Sequence, residues 1–221
     1  MMSRSVAILL LALVLAPPVP AAPAPVVLVV GDSLSAGYNM RAEQGWVALL
    51  AARIAAAGLP QQVVNASISG DTTQSGVARL PRALERHRPA VVVLELGAND
   101  GLRGIPLETT RANLSRMVAL ARGAGAQVLL VGVQLPTNYG NEWNGKFHAI
   151  YTELARAEQL PLLPTFVGEA IATDPDLMQA DGLHPNPRAQ PLLLEAVWKV
   201  LAPMLQNRAP ARAAPRTPNR G

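Results

Sequence analysis

Apolar residues fall into two alternating patterns along this chain, short unbroken runs and longer stretches at helical spacing. Val26-Val27-Leu28-Val29-Val30 is a continuous, mostly β-branched run, the pattern of a strand buried on both faces. Trp46, Leu49, Leu50, Ile54 and Ala57 recur at helical spacing until Gly58 and Pro60, which mark a helix stop. Gln62 to Asn65 reads as a short second strand, Ser75 to His87 as a helix, and Ala90 to Leu96 as the strongest strand. Leu107, Leu114, Met117, Val118 and Ala121 trace the next helix face, ended by Gly123 and Gly125. Gln127 to Val133 is the fourth strand. Phe147, Ile150, Tyr151 and Leu154 mark another helix, and Leu160 to Leu163 a weak fifth strand. Leu194, Val197, Trp198, Leu201 and Leu205 form the last helix face.

Strands buried on both faces and alternating with helices predict an α/β fold, a parallel sheet covered by helices on each side. Ligands of such sheets sit beyond the carboxyl ends of the strands, where the strand order reverses. The polar motifs fall where that rule expects them. Ser33 follows the first strand, Ser69-Gly70-Asp71 the second, Asn99-Asp100 the third and Thr137-Asn138-Tyr139 the fourth, while Asp181 to His184 precedes the last helix. All can converge on one edge of the sheet.

The two ends differ from this body. Met1-Met2-Ser3-Arg4, the ten-residue apolar run from Val6 to Leu15, and the small residues that follow have the layout of a secretory signal peptide, too short to span a bilayer. Residues 1–21 are therefore expected to be removed, with cleavage after Ala21, and the mature protein to be periplasmic or secreted. Gln206 to Gly221 carries three prolines, four arginines, no acid and no large apolar residue, so 206–221 is expected to be a disordered basic tail. Its arginines can reach an anionic lipid surface weakly. The domain is then residues 22–205, long enough for one good core.

Setting the ends aside changes the charge argument. The chain has 19 Lys+Arg against 15 Asp+Glu, but Arg4 and the four tail arginines account for five, leaving 14 against 15. The body is near neutral, and the basic isoelectric point gives no support to a nucleic-acid groove. The absence of cysteine removes disulfides, zinc–thiolate sites and a cysteine nucleophile together. One credible histidine and no H-E-x-x-H leave no evident metal site.

A serine nucleophile needs a base within hydrogen-bond reach, and only three histidines are available. His87 lies between two arginines at a helix end, and His148 sits in an amphipathic helix; both suit structural or surface roles. His184 lies in a polar turn stiffened by Pro185 and Pro187, with Asp181 three residues upstream. That spacing lets the carboxylate accept from one ring nitrogen and leaves the other to face Ser33. Gly70 can bring a backbone N–H close to a developing oxyanion, and Asn99 carries an amide donor. Each piece also has a plainer reading: Asp-Gly-Leu-His as an Asp-initiated turn, Gly-Asp-Ser as a simple or phosphate-cradling turn, Asn-Asp as a turn. No G-x-G-x-x-G, Walker A or G-x-S-x-G motif occurs, so the motifs of nucleotide binders and of the usual α/β-hydrolases are absent.

Taken together, the blocks Gly31 to Tyr38, Asn65 to Thr72, Gly97 to Gly104, Pro136 to Gly140 and Asp181 to Asn186 resemble the GDSL (SGNH) hydrolases from about Val27 to Leu205. The resemblance implies a flavodoxin-like α/β/α sandwich with a five-stranded parallel sheet. It implies Ser33 as nucleophile, His184 as base and Asp181 as its orienting carboxylate, with an oxyanion hole from the Ser33 and Gly70 amides and the Asn99 side chain. By the same analogy Leu102, in the loop Gly101 to Gly104, together with Phe166 and Leu183, flanks the acyl groove. The implied activity is that of a cofactor-free monomeric serine esterase and thioesterase acting on fatty acyl-CoA, lysophospholipid or aryl esters. A carbohydrate O-acetyl esterase and a non-catalytic binding module of the same fold are the alternatives. Two departures stand out: Ala98, where a second glycine is frequent, and the looser segment Asn141 to Gly145.

Overall fold

The computed structural model describes residues 23–206, and each of the five apolar runs forms a strand in it. In chain order the elements are β1 (Val26–Gly31), α1 (Ser33–Ala36), α2 (Trp46–Ala56), β2 (Gln62–Asn65), α3 (Thr73–His87), β3 (Val91–Glu95) and α4 (Ala98–Leu102). There follow α5 (Leu107–Gly123), β4 (Gln127–Val131), α6 (Asn141–Glu158), β5 (Leu162–Leu163), α7 (Glu169–Ala172) and α8 (Gln190–Gln206). The strands form one parallel sheet in the order β2-β1-β3-β4-β5. From β1 the chain first crosses to β2 on one side and then returns past β1 to β3 on the other. The crevice between the carboxyl ends of β1 and β3 is therefore the switch point of the fold.

Side chains alternate across each central strand, which is why the runs are apolar without interruption. Leu28 and Val30, with Val92 and Leu94, face one core under α3, α5 and α6; Val27 and Val29, with Val91 and Val93, face the other under α2 and α8. Trp46 and Phe166 meet edge-on in the second core, and Phe147 and Tyr151 do so in the first. With both faces filled, the sheet offers only its edges, and in such folds ligands sit at the carboxyl edge.

Several boundaries differ from those the sequence suggests. α3 starts at Thr73 rather than Ser75 because the Thr72 hydroxyl caps the Ser75 N–H, an N-cap that the apolar spacing does not register. β5 shrinks to two residues between Pro161 and Pro164, since proline cannot donate to the ladder. The short helices α1, α4 and α7 were not anticipated; at four or five residues each they are too short to show a period. α8 runs through Gln206, the residue at which the basic tail was expected to begin. The expected signal peptide 1–21 and the remainder of the expected tail lie outside the described residues.

Candidate active site

β1 ends at Gly31, and Asp32 makes the turn into α1, whose first residue is Ser33. The Asp32 side chain accepts from the Leu34 N–H at 3.1 Å, so the same residue that follows the strand caps the helix bearing the serine. On the other side of the crevice, Asp181 Oδ1 accepts from the backbone N–H groups of Leu183 and His184, at 2.9 and 3.0 Å. Its Oδ2 faces His184 Nδ1 at 2.7 Å, and His184 Nε2 lies 2.9 Å from Ser33 Oγ. With the ring proton on Nδ1, Nε2 is the acceptor for the serine hydroxyl. Burial alone would raise the Asp181 carboxyl, but the two backbone N–H groups and the His184 ring outweigh it and hold the group below its ordinary value.

The loop carrying His184 is fixed from behind. Gln190 is buried at the start of α8; its Oε1 accepts the Trp46 N–H while its Nε2 donates to Pro185 and Asn186 carbonyls. Asn186 donates in turn to the carbonyls of Asp176 and Met178. The Tyr38 ring lies against the imidazole, with centroids 4.6 Å apart.

Three residues with N–H donors line the same crevice, Ser33, Gly70 and Asn99. Gly70 sits at φ +83°, a conformation that favours glycine. Neither its N–H nor that of Ser33 has an acceptor among the described residues. Asn99, in the first turn of α4, donates one amide N–H to Asp32 Oδ2 at 3.2 Å, leaving its second free. Gly97 precedes that helix at φ +125°, and a Cβ there would collide with the Tyr151 hydroxyl. Ala98 is half-buried and lines the site; its methyl group is accommodated without displacing Asn99 from Asp32.

Beneath the serine lies a buried polar layer. Glu95, fully buried at the end of β3, accepts from the Ser35 hydroxyl at 2.7 Å, and its Oε1 has no partner. Burial raises the Glu95 carboxyl well above the ordinary range, and the nearby Asp32 carboxylate adds to this. Burial likewise pushes Asp32 up to about 6, against the lowering pull of the Leu34 N–H, His184 and Asn99. Arg79 of α3 ties the layer together by donating to Asp71 and to the carbonyls of Ala66 and Gly31. Asp100, also buried, accepts from the Thr73 N–H and from the hydroxyls of Thr73 and Thr110, docking α4 on α3 and α5.

At this crevice lies a groove of about 590 Å³, with Leu34, Ala98, Leu102, Val133, Val167 and Leu183 among its apolar walls. Ser33, Gly70, Asn99 and His184 lie along it. Leu102 and Leu183 are both among the lining residues. Phe166 is not. Its side chain is buried against Trp46 in the second core, because the chain bends after β5 and the Phe166 N–H bond to the Gly132 carbonyl holds it there, out of strand alternation. The neighbouring Val167 faces the groove instead. Of the residues not anticipated, Glu95 had a visible signal, a carboxylate inside an otherwise apolar run. Tyr38 and Asp32 lay inside a motif already singled out, whereas Gln190 and Arg79 had none. Among the described residues no group of three or more His, Asp or Glu side chains is placed to hold a metal ion.

A hydroxyl, an imidazole and a carboxylate in hydrogen-bond series, beside unpaired N–H donors and an apolar groove, define the site of a hydrolase of acyl compounds. The model of the GDSL-like lipase/acylhydrolase family matches residues 29–191. Esterase TesA of Pseudomonas aeruginosa is 50% identical over 184 residues, covering 83% of this chain and 91% of that protein. Thioesterase 1/protease 1/lysophospholipase L1 of Escherichia coli is 46% identical over 187 residues, covering 85% and 88%. The crystal structure of TesA superposes with a TM-score of 0.79 at 50% identity, covering 81% of this chain and 99% of that one. The chain belongs to the GDSL-like lipase/acylhydrolase family and is an ester-hydrolysing enzyme.

Proposed function

We propose that this protein is an exported serine esterase and thioesterase of fatty-acyl substrates. The observation that carries the reading is the series Asp181 Oδ2, His184 Nδ1 and Nε2, Ser33 Oγ, spaced at 2.7 and 2.9 Å, with the free N–H groups of Ser33 and Gly70 beside it. Ser33 Oγ attacks the acyl carbonyl as its proton passes to His184 Nε2. The tetrahedral oxyanion is received by the Ser33 and Gly70 amides and the second N–H of Asn99. His184 then protonates the departing thiol or alcohol, and water attacks the acyl-enzyme by the same route in reverse. Asp181 holds the ring in the required tautomer and stabilises the imidazolium.

The apolar groove suits a fatty-acyl chain, and the polar Ser69 and Thr137 in its lining suit leaving groups as different as a pantetheine thiol, a lysophospholipid glycerol or a phenol. The relatives' names support this range, one being an esterase and another a thioesterase and lysophospholipase. Residues 1–21 address the protein to the periplasm or exterior, and it acts there as a monomer, with the basic tail resting at most weakly on an anionic membrane.

Hydrolysis of aryl esters and acyl thioesters from acetyl to palmitoyl, with Ser33→Ala alongside, tests the reading. Activity rising beyond acetyl and lost in the variant is expected. Undiminished activity in Ser33→Ala overturns the mechanism, and a sharp acetyl optimum would favour a carbohydrate O-acetyl esterase.

A further inference from the structure

One carboxylate touches both sides of the crevice. Asp32 Oδ1 accepts from the Leu34 N–H, which sets the first turn of α1 and hence the direction of the adjacent Ser33 N–H. Asp32 Oδ2 accepts from Asn99 Nδ2, on the far wall built by α4. Both oxygens are buried and both are used for this purpose; the side chain does not line the groove and makes no hydrogen bond to Ser33 or His184, though it stands close enough to His184 to feel its charge. An unpinned Asn side chain rotates freely about χ1 and χ2. Held by one N–H, its second N–H has a fixed direction, here into the crevice. The layer below keeps Asp32 in place: its backbone N–H bonds Glu95, and Arg79 holds the preceding Gly31 carbonyl.

We infer that Asp32 is a positioning residue of the oxyanion hole, whose carboxylate spends one N–H of Asn99 so that the other is aimed at the substrate oxygen. This rests on the serine esterase reading above. In a preorganised site the value of a donor lies in its fixed direction before charge develops, so loss of the anchor weakens the transition state more than ground-state binding. Asn99 alone, with its freedom restored, remains a poor donor.

Two variants separate the tasks of Asp32. Asp32→Asn keeps the shape and one acceptor but turns an amide donor toward Asn99 or Leu34. Asp32→Ser keeps a good cap for Leu34 yet is too short to reach Asn99. With p-nitrophenyl butyrate, kcat should fall about ten- to a hundredfold in each, with KM within about twofold. In an Asn99→Ala background the same changes should cost less than about threefold more, because the residue they act through is gone. Full multiplication of the two effects, or an unchanged kcat in Asp32→Ser, overturns the inference. Ser33→Ala measured in parallel keeps it distinct from the parent reading: an active Ser33→Ala removes the serine mechanism itself, whereas an inactive one with multiplicative Asp32 and Asn99 effects removes only the positioning role.

A measurement on the unaltered protein covers variants that do not fold. The side-chain amide resonances of Asn99 should move in step with titration of the Asp32 carboxyl carbon. The charged or titratable groups facing Asp32 are Glu95 of β3, Asp71 after β2, Arg79 of α3, Tyr151 of α6 and His184 before α8. Resolved carboxyl resonances of Asp32, Glu95 and Asp71 and the His184 ring signals identify which of them the amide follows. Asn99 signals that ignore Asp32 while its carboxyl titrates overturn the inference.

Discussion

The His184 ring and the Ser33 hydroxyl meet at 2.9 Å across 151 positions of the chain. Nothing local brings them together; β1 delivers the serine and the Gln190 clamp on Trp46 delivers the histidine. Removing either partner should abolish the same function. Ser33→Ala and His184→Ala are each expected to lower kcat by at least about 10⁴-fold, and the double variant to be hardly worse than either. Asp181→Asn presents an amide donor to His184 Nδ1, favours the wrong tautomer and should cost about 10² to 10⁴-fold. Steady-state kinetics on one aryl ester decides all four, and multiplicative losses would show that the residues do not act as a unit.

The Tyr38 ring lies 4.6 Å from the His184 ring, tilted by 35°. An aromatic face stabilises a cation beside it by about 0.5–1 kcal/mol at an exposed site, and His184 becomes a cation as it takes the serine proton. Tyr38→Phe should therefore behave as the unaltered enzyme. Tyr38→Leu, of similar apolar character but without the π-face, should lose about three- to fivefold in kcat. Equal kinetics for the two variants would assign the ring a packing role only.

Most of the sheet and the location of the candidate catalytic residues were legible because burial leaves strong sequence marks. Strands filled on both faces read as apolar runs, and polar residues directly after them mark the carboxyl edge. The parts that stayed hidden depend on direction rather than composition. Phe166 and Val167 are adjacent apolar residues, and only the path of the chain after β5 decides that Phe166 is buried in the second core while Val167, at that core's edge, also lines the groove. The Asn99 to Asp32 bond and the Gln190 clamp join residues 67 and 144 positions apart, and neither leaves a periodic trace.

The raised Asp32 carboxyl has a consequence for stability. Its folded value, about 6, lies above the ordinary 3.8, so the native state binds this proton more tightly than the unfolded chain. The stabilising contribution is complete below about pH 4 and is lost as pH rises through 6, amounting to about 3 kcal/mol for a shift of this size. Asn at this position carries no such dependence. The stability of Asp32→Asn relative to the parent should therefore rise by about that amount between pH 4 and pH 7, measured by urea unfolding at each pH. A difference independent of pH would mean that Asp32 titrates normally.

Glu95 should behave in the opposite way toward an amide. It is fully buried, its Oε1 lacks any partner, and burial raises its carboxyl well above the ordinary range, which favours the neutral acid. Glu95→Gln preserves shape and neutrality and should change stability by less than about 1 kcal/mol. Glu95→Ala leaves the Ser35 hydroxyl and the Asp32 N–H unpaired in a cavity and should cost about 2–4 kcal/mol. If Glu95→Gln were as destabilising as Glu95→Ala, a charged Glu95 would be required.

The exchange of roles between Phe166 and Val167 makes opposite demands on two variants. Phe166→Ala empties a site against Trp46 in the second core and should cost about 3–5 kcal/mol of stability, with chain-length preference retained in whatever enzyme folds. Val167→Phe adds a ring to the groove wall. Stability should change little there, since Val167 is only half-buried. The lost groove volume should instead lower kcat/KM for long acyl chains about tenfold or more while leaving acetyl esters within about threefold. Kinetics across the chain-length series and thermal melting distinguish the two, and an altered chain preference in Phe166→Ala with none in Val167→Phe would return Phe166 to the groove.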